Sequence, residues 1–308
     1  MPRTEERDLH GILLFDKPTG LSSNRALQTV REMFEAAKAG HTGSLDPLAT
    51  GLLPICFGEA TKIAGLLLGS RKAYETECRL GTTTDTEDSE GTVLVERPVP
   101  ELDENAIRAA LATLTGRITQ IPPAYSAIKR GGERLYKRAR RGEIVVAPSR
   151  QIDVHRFELI EAGPKRLRLY VECGSGTYVR SLVRDLGELL GCGAHVGALR
   201  RLWVEPFVTP RMHTLAELET ASVQGGLAAL DKLLLPLEAG LAGFPQLRVA
   251  ASDAIRLRQG QLVQVTGAAA GRYIALDEQG LAVALVECAG DGCLRTQRGF
   301  NDLSGDPT

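Results

Sequence analysis

Strand-like and helix-like segments follow one another along this chain without the regular strand–helix–strand rhythm that builds a parallel sheet. Residues 166–173 (RLRLYVEC) alternate apolar and polar side chains, which predicts a half-buried strand. Residues 101–116 predict a helix, since acidic side chains in its first turn favour the helix dipole. No GxGxxG motif follows a strand. The pattern therefore predicts an α+β fold with an antiparallel or mixed sheet rather than a Rossmann fold.

Other segments carry local signals in their apolar spacing and in their glycine and proline residues. The predicted types are, in chain order, a strand at 11–17, a helix at 22–39 ended by Gly40, a loop with strand-like ends at 40–62, a hairpin at 71–96 and a helix at 181–193. The last of these carries an apolar stripe made of Leu182, Val183, Leu186, Leu189 and Leu190.

The composition changes after Pro206, where two short helices are predicted near 214–222 and 226–235. Pro236 and Pro245 follow, and the remaining chain indicates a small helix and several strands. The sequence thus predicts a domain boundary between about 236 and 246, which separates a large domain, 1–240, from a small one, 246–308.

Several functional classes receive no support from the sequence. The six cysteines are scattered and form no CxxC pair, so a metal site is not expected and reduced thiols are. The N-terminal residues lack the apolar core of a signal peptide, and the apolar run at 55–69 is too short to span a bilayer. No Gly-x-Ser-x-Gly or HExxH motif favours a hydrolase. A soluble cytoplasmic protein is the expectation.

A basic segment stands out at residues 129–150 although the whole chain has a net charge of only −1. It holds eight basic and two acidic residues, a net charge of +6 within 22 residues. Such a cluster is either a solvated face or a surface for a phosphate backbone, and the second interpretation is favoured. Tyr136 within the segment adds a possible stacking surface.

Asp46 is one of only two acids in residues 40–62, and Pro47 follows it. The proline disfavours a helical conformation at Asp46, so a simple turn residue is one interpretation. The other is a carboxylate presented on a loop among leucines, which would need a positive partner to stay ionised. Arg180, near the predicted start of a helix, is a candidate, since an arginine there is unfavourable unless an acid faces it. A solvent-facing Arg180 is the alternative.

Two tyrosines and a histidine are further candidates. Tyr178 precedes Arg180 by two residues and would point to the same side of an extended segment. Tyr74 lies among apolar strand residues, where a half-buried structural tyrosine is common. His41 lies in a glycine-flanked loop and by itself indicates only a loop histidine.

Five ordered stretches between about residues 10 and 207 closely resemble the motifs of the tRNA pseudouridine-55 synthases, the TruB-type family of bacteria. They are GILLFDKPTGLSS, GHTGSLDPLATGLLPICFGEATK, RKAYETECRLGTTTDTEDSEG, QIPPAYSAIKRGGERLYKRARRGE and CGSGTYVRSLVRDLGELLGCGAHVGALRRLWVEPF. The resemblance implies a pseudouridine-synthase fold, with a mixed, mainly antiparallel sheet flanked by helices. It implies more weakly that the residues after about 246 form a small PUA-like RNA-binding domain or, equally, a packing domain.

The resemblance also implies the reaction and its catalytic residues. Uridine 55 in the T-loop of tRNA is detached from its ribose, turned and rejoined through C5, after the base has been flipped out of the loop. Asp46 matches the nucleophile of the family, and Arg180 matches the arginine that pairs with it. Tyr74 matches the active-site tyrosine that packs on the target base. No redox cofactor is needed for such an isomerisation.

The binding residues are carried over in the same way. Tyr178 and Leu199 match residues that line the uridine pocket, His41 matches a histidine that stacks in the emptied loop, and Lys62 is assigned to substrate binding. The stretch at about 124–150 matches an RNA-clasping insertion, with backbone contacts assigned to Lys129, Arg130, Arg134, Lys137, Arg138, Arg140 and Arg141. Ser175 stands where many relatives have lysine, which puts one RNA contact in doubt.

The resemblance implies a stand-alone monomer that acts on tRNA without an obligatory protein partner or a membrane. Two alternatives stay open. One is the related guide-RNA-dependent synthase, which relies on partner proteins and which the intact basic segment disfavours. The other is a tRNA-binding folding factor whose catalysis is incidental.

Overall fold

The computed structural model describes residues 6–69, 71–126, 128–143, 145 and 147–301. It describes only the backbone of Lys129, Arg130, Arg134, Tyr136, Lys137 and Arg140. The elements are, in chain order, β1 Gly11–Lys17, α1 Ser23–Met33, β2 Ala39–His41, β3 Thr50–Phe57, α2 Ala64–Leu68, β4 Lys72–Leu80, β5 Thr82–Thr84, β6 Val93–Glu96, α3 Glu104–Thr113, β7 Gly116–Gln120, β8 Lys129–Arg130, β9 Glu133–Arg134, α4 Leu135–Arg140, β10 Arg150–Ala162, β11 Arg166–Cys173, α5 Val179–Leu189, β12 Ala194–Val204, α6 Leu215–Asp231, β13 Gln246–Arg248, α7 Ala251–Arg258, β14 Val263–Gln264, β15 Gly271–Leu276, β16 Ala282–Cys288 and β17 Cys293–Gly299.

The larger sheet has eight strands in the order β1-β3-β12-β4-β11-β10-β7, with β2 paired to β3. All its described pairs are antiparallel except β3 with β12. Helices α1, α3 and α5 contribute apolar residues to the main core beside this sheet. The expected α+β fold with a mixed, mainly antiparallel sheet is therefore confirmed.

One prediction for the N-terminal region is wrong and another is confirmed in outline. Helix α1 ends at Met33 rather than at Gly40, because Glu35 adopts a left-handed φ of 51° that breaks the helix. The segment at 40–62 has the strand-like ends that were predicted, and residues 50–57 form the interior strand β3, which is buried along nearly its whole length. A strand buried on both faces shows no alternation and is difficult to recognise from its pattern.

The hairpin predicted at 71–96 forms only in part. Strand β4 pairs with β11 and β12 in the large sheet, and only the short β5 and β6 pair with each other. In α5, Leu189 is 54% exposed, so it does not belong to the buried stripe. The alternation predicted for 166–173 is confirmed, because Leu167, Leu169, Val171 and Cys173 are all buried in β11.

A second sheet of five strands, in the order β13-β15-β16-β17-β14, lies in the C-terminal part of the chain. Its residues Ile274, Leu276 and Leu285 belong to the same apolar cluster as Ile12 and Leu52 of the large sheet. The two sheets therefore share a packed interface, and one side of it is supplied by β1 and by β3, the strand that follows the loop of Asp46.

Candidate active site

The loop that carries Asp46 lies between β2 and β3 and is fastened to the start of α1. The Ser23 hydroxyl donates to the carbonyl of Leu45 at 3.0 Å and accepts from its amide at 2.7 Å. Within the loop, the amide of Ala49 donates to the carbonyl of Asp46 at 3.0 Å. Ser23 is buried, so both bonds form away from water, where they are strongest.

Lys17 also binds the loop that carries Asp46. Its ammonium donates to the carbonyls of Leu21, Pro18 and Pro47 at 2.7, 2.9 and 3.3 Å. The residue is fully buried, and burial lowers the pKa of Lys17 to about 8 despite the nearby carboxylate of Asp46. Lys17 was not among the predicted site residues, although its lysine–proline turn was visible in the sequence.

Asp46 and Arg180 form the ion pair that was expected. Arg180 Nε lies 2.9 Å from Asp46 Oδ2, and Nη2 lies 3.2 Å from Oδ1, which is a two-pronged contact. The side chain of Arg180 is only 4% exposed, whereas that of Asp46 is 37% exposed. The carboxylate is thus oriented from inside the protein while part of it stays open to a substrate. The interpretation of Arg180 as a solvent-facing residue is wrong.

Arg180 has further partners that fix its position. It donates to the carbonyl of Thr86 at 2.7 Å and to that of Tyr125 at 3.0 Å, and Nη1 lies 3.7 Å from Asp88 Oδ2. Asp88 is itself buried and accepts from the hydroxyl of Thr86 at 2.5 Å. The guanidinium therefore bridges two carboxylates, one of them partly open and the other enclosed.

The acidic turn between β5 and β6 was missed as part of the site. Besides Asp88 it carries Glu87, whose carboxylate accepts from the Ser181 hydroxyl at 2.9 Å and pairs with Arg184 at 2.5 Å. Both partners lie on α5. The sequence signal is present as four acids between residues 85 and 90, but the pattern predicted only the turn of a hairpin there.

Opposing influences act on the pKa of Asp46. Loss of hydration raises the pKa, the positive charge of Arg180 opposes the rise, and the negative charge of Asp88 adds to it. The result is a pKa above the ordinary aspartate value. The carboxyl group is less well solvated than that of a surface aspartate, and its ionised form is hence a better nucleophile or base.

Tyr74 lies on β4 directly opposite Arg201 on β12. Both residues are buried, and the Arg201 guanidinium donates to the carbonyls of Leu52 at 2.6 Å and Gly43 at 3.1 Å. Burial raises the pKa of Tyr74, and Arg201 only partly opposes this rise. Tyr74 is therefore a neutral phenol that can donate a proton. Arg201, which sequence reasoning missed, ties β12 to the strand and loop on either side of Asp46.

His41, Leu199 and Tyr178 lie on three different elements. His41 ends β2 just before the Asp46 loop, and burial lowers its pKa, so its ring is neutral at neutral pH. Leu199 is buried on β12, two residues before Arg201. Tyr178 immediately precedes α5, two residues before Arg180. The structure thus brings Asp46 and Arg180 into contact and places Tyr74 opposite Arg201, whereas the lining roles of His41, Leu199 and Tyr178 stay predictions.

Lys62 binds residues at the interface with the second sheet. Its ammonium lies 2.5 Å from Glu59 and donates to the carbonyl of Gly299 at 2.9 Å, which is at the interface with the second sheet. Within the part of the chain that the structure describes, no contact joins Lys62 to Asp46, Tyr74 or Arg180. Its assignment to substrate binding stays a prediction that these contacts do not favour.

The basic segment contains an internal ion-pair network. Arg141 makes a two-pronged contact with Glu133 at 2.6 and 2.8 Å and also pairs with Glu143 at 2.7 Å. Arg138 pairs with Glu143 at 2.6 Å. The side chains of the other predicted RNA-backbone residues, and that of Tyr136, lie outside what the structure describes, namely Lys129, Arg130, Arg134, Lys137 and Arg140.

No cluster of three metal-ligating side chains occurs among the described residues, and none of the helices described there is long and apolar enough to cross a membrane. The chemistry available at Asp46 is that of a fixed carboxylate beside a neutral phenol. Such a pair can attack an electrophilic carbon and move a proton.

Comparisons with known proteins agree with this site. Residues 31–179 match the family model described as "TruB family pseudouridylate synthase (N terminal domain)", and residues 180–242 match "tRNA pseudouridylate synthase B C-terminal domain". The chain belongs to the TruB family of pseudouridylate synthases. The resemblance inferred from the five sequence stretches is thereby confirmed.

Relatives within the TruB family cover almost the whole chain. The tRNA pseudouridine synthase B of Xanthomonas campestris pv. campestris (strain 8004) is 57% identical over 98% of both chains. The protein of the same name from Ectopseudomonas mendocina (strain ymp) is 48% identical over 95% of both chains. A solved structure titled "Crystal Structure of a Cbf5-Nop10-Gar1 Complex" superposes with a TM-score of 0.74 at 23% identity, over 95% of this chain and 85% of that one. At that identity the likeness shows the shared fold alone.

Proposed function

We propose that this tRNA pseudouridine synthase converts uridine 55 in the T-loop of tRNA to pseudouridine, with Asp46 as the nucleophile. The observation that carries the proposal is the partly open carboxylate of Asp46, held by a two-pronged contact from the buried guanidinium of Arg180. A nucleophile needs this combination, because the group must be oriented by the protein and still reach the substrate.

The reaction conserves all atoms of the nucleotide. The bond between N1 and C1′ breaks, a bond between C5 and C1′ forms, C5 gives up its proton and N1 gains one. Asp46 attacks the nucleotide and is released when the new bond has formed. Tyr74, kept neutral by burial, packs on the base and is positioned to move the proton.

The proposal includes flipping of the target base out of its loop. A base in a folded RNA loop is inaccessible to a carboxylate that lies between two strands, so it must leave the stack first. Leu45, Leu48 and Leu199 are buried around the loop and the neighbouring strand and can hold the extruded uracil, together with Tyr178. The neutral ring of His41 suits stacking in the place that the base leaves.

The organisation of the chain follows from the same proposal. Residues 1–240 form the catalytic domain, the insertion at about 124–150 clasps the RNA backbone, and residues 246–308 form a PUA-like RNA-binding domain. The enzyme acts as a cytoplasmic monomer. The high identity to relatives named for tRNA favours this stand-alone role over a guide-dependent one.

The test is pseudouridine formation in a T-loop stem-loop RNA, with purified wild type and Asp46→Asn side by side and no other protein added. Wild type should modify the loop uridine. Asp46→Asn should lose more than about a thousandfold in single-turnover rate, while the dissociation constant for tRNA changes by less than about threefold.

Other outcomes point elsewhere. No product from wild type alone would favour the guide-dependent alternative, and a missing partner would then be sought. Equal loss of rate and binding in Asp46→Asn would contradict the nucleophile role. A cellular role that survives Asp46→Asn would reveal an additional function in tRNA folding.

A further inference from the structure

The basic insertion leaves the large sheet and returns to it at one pair of residues. Gln120 is the last residue of β7, Arg150 is the first residue of β10, and the two are directly opposite each other in the antiparallel register. Residues 121–149 are the excursion between them. Any displacement of this excursion by bound RNA must therefore act first on Gln120 and Arg150.

Gln120 holds the backbone of Tyr178 from both sides. Its Nε2 donates to the carbonyl of Tyr178 at 3.0 Å, and its Oε1 accepts from the amide of Tyr178 at 2.9 Å. Gln120 is fully buried, so loosening this amide clamp would leave buried polar groups without partners. The backbone position of Tyr178 is thus set by the end of β7.

Arg150 holds the side chain of the same tyrosine. Its guanidinium carbon lies over the ring of Tyr178, 4.9 Å from the ring centre, and its Nη2 donates to the carbonyl of Gly176. Gly176 has a left-handed φ of 85°, and a Cβ atom built there would lie 3.5 Å from the guanidinium carbon. Arg150 therefore packs flat against both the turn and the ring that precede α5.

The first residues of the excursion contact the same helix. The carbonyl of Tyr125 accepts from Arg180 at 3.0 Å, and the carbonyl of Ile121 accepts from Arg184 at 3.1 Å. Four residues at the base of the insertion thus contact the segment that carries Tyr178 and Arg180. An arrangement of this kind is expected where binding in one place must set geometry in another.

We propose that Gln120 and Arg150 are positioning residues that couple RNA binding by the insertion to the orientation of Tyr178 and Arg180. The inference rests on the proposed function, since it assumes that the insertion binds tRNA. When RNA binds to the insertion, Gln120 and Arg150 hold Tyr178 more firmly. Tyr178 is thereby oriented toward the flipped uridine. Neither residue touches the reacting atoms.

The test compares Arg150→Lys and Arg150→Met with wild type in single-turnover kinetics and tRNA binding. Lysine keeps the charge but loses the planar stack and the fork of donors. For both variants we expect the single-turnover rate at saturating RNA to fall by about tenfold, while the dissociation constant for tRNA stays within about twofold.

Arg156→Met is the matched control. Arg156 lies on the same strand, stacks on Tyr170 with its guanidinium carbon 4.8 Å from the ring centre and pairs with Glu158, but it lies six residues beyond the base of the insertion, after a register irregularity of β10. Its loss should leave the rate unchanged. If Arg150→Met fails to fold, as its thermal midpoint will show, Arg150→Lys carries the test.

A second measurement does not depend on turnover. Hydrogen exchange of the Tyr178 amide should slow when tRNA binds to wild type, and this slowing should be lost in Arg150→Met. Unchanged rates in Arg150→Lys, or a loss of rate fully explained by weaker tRNA binding, would overturn the inference. Wild type that forms no pseudouridine would instead overturn the proposed function.

Discussion

At the scale of single residues, the site is a row of alternating charges, formed by Asp46, Arg180 and Asp88. Arg180 lies in the first turn of α5, where the helix dipole disfavours a cation, yet it is almost fully buried. Asp46, Asp88 and the two carbonyls that accept from it compensate for this placement. These contacts hold the buried guanidinium in place, and the guanidinium in turn orients Asp46.

The pH dependence of the reaction should show how Arg180 and Asp88 influence the pKa of Asp46. Because loss of hydration and Asp88 raise the pKa of Asp46, the reactive carboxylate is lost on acidification at a higher pH than for an ordinary aspartate. The acidic limb of the single-turnover rate should therefore lie above about pH 4. In Asp88→Asn one negative neighbour is removed, so the limb should move to lower pH.

Asp85→Asn is a suitable control for this experiment. Asp85 lies in the same acidic turn, but its carboxylate accepts from the amide of Thr92 and the hydroxyl of Tyr125 and is not among the charges that shift the pKa of Asp46. The acidic limb of Asp85→Asn should coincide with that of wild type. A limb that moves equally in both variants would show that general loss of charge, and not the Asp88–Arg180–Asp46 chain, sets the profile.

At the scale of elements, the site is made from loops that rigid elements hold. Ser23 at the start of α1 and Lys17 at the end of β1 both fasten the loop of Asp46. Gly51 allows β12 to approach β3 closely, since a Cβ atom there would lie 2.2 Å from the carbonyl oxygen of Arg201. Strands β3 and β12 can therefore pair in parallel beside the loop.

The ion-pair network of the insertion leads to a prediction about salt. If Arg138 and Arg141 exchange Glu143 and Glu133 for RNA phosphates, each lost arginine removes one released counterion. The double variant Arg138→Gln/Arg141→Gln should then weaken tRNA binding and reduce the slope of log K against log salt by about 2.

The control for this prediction is Arg108→Gln, since Arg108 pairs with Glu104 in an equally exposed position on α3. Its slope should match that of wild type. An unchanged slope in the double variant as well would mean that the two arginines only brace the insertion through their glutamates.

At the scale of the whole molecule, the second sheet is fastened to the strand that follows the loop of Asp46. Glu59, just beyond β3, accepts from the amide of Asn301 at 2.8 Å and pairs with Lys62. Lys62 in turn donates to Gly299 at the end of β17, and Glu238 accepts from the amide of Ala282 at 2.7 Å. Together with the shared apolar cluster, these bonds make the C-terminal part a support for the catalytic strands.

The pKa of Glu59 gives this interface a pH dependence. Burial works against its ionisation, but the Lys62 ammonium and the Asn301 amide outweigh it, so the pKa of Glu59 is lowered. A lowered carboxyl pKa adds stability above the ordinary glutamate pKa, and this stability is lost as pH falls through the folded-state value. Glu59→Gln should therefore reduce the free energy of unfolding by about 1–3 kcal/mol at pH 7.

Chemical denaturation at several pH values would check this expectation. The difference between wild type and Glu59→Gln should shrink as pH falls below about 4, where the carboxylate becomes protonated. Glu278→Gln, on the turn between β15 and β16, is a control away from the interface. A difference that does not change with pH would mean that packing, and not the charge of Glu59, holds the interface.

Local signals were sufficient where one segment decides its own structure. The alternation in β11, the helix of α3 and the glycine-bounded motif around Asp46 were all visible in the chain. The five ordered stretches also identified the family, since each motif consists of consecutive residues and can be recognised in the sequence. Arg180 was one candidate for the positive charge that Asp46 needs, the resemblance to the family implied the same pairing, and the structure shows the contact.

The tertiary structure alone decided what lies between distant segments. It brought Asp88 of the acidic turn close to Arg180, and it bound the Lys17 ammonium to the carbonyl of Pro47. It also paired Gln120 with Arg150 at the base of the insertion. It also assigned Lys62 to the interface with the second sheet. These partners are separated by many residues along the chain. Hydrophobic periodicity and residue propensity carry information only about the local segment. The contacts arise from the order of strands in the sheet, which no single segment specifies.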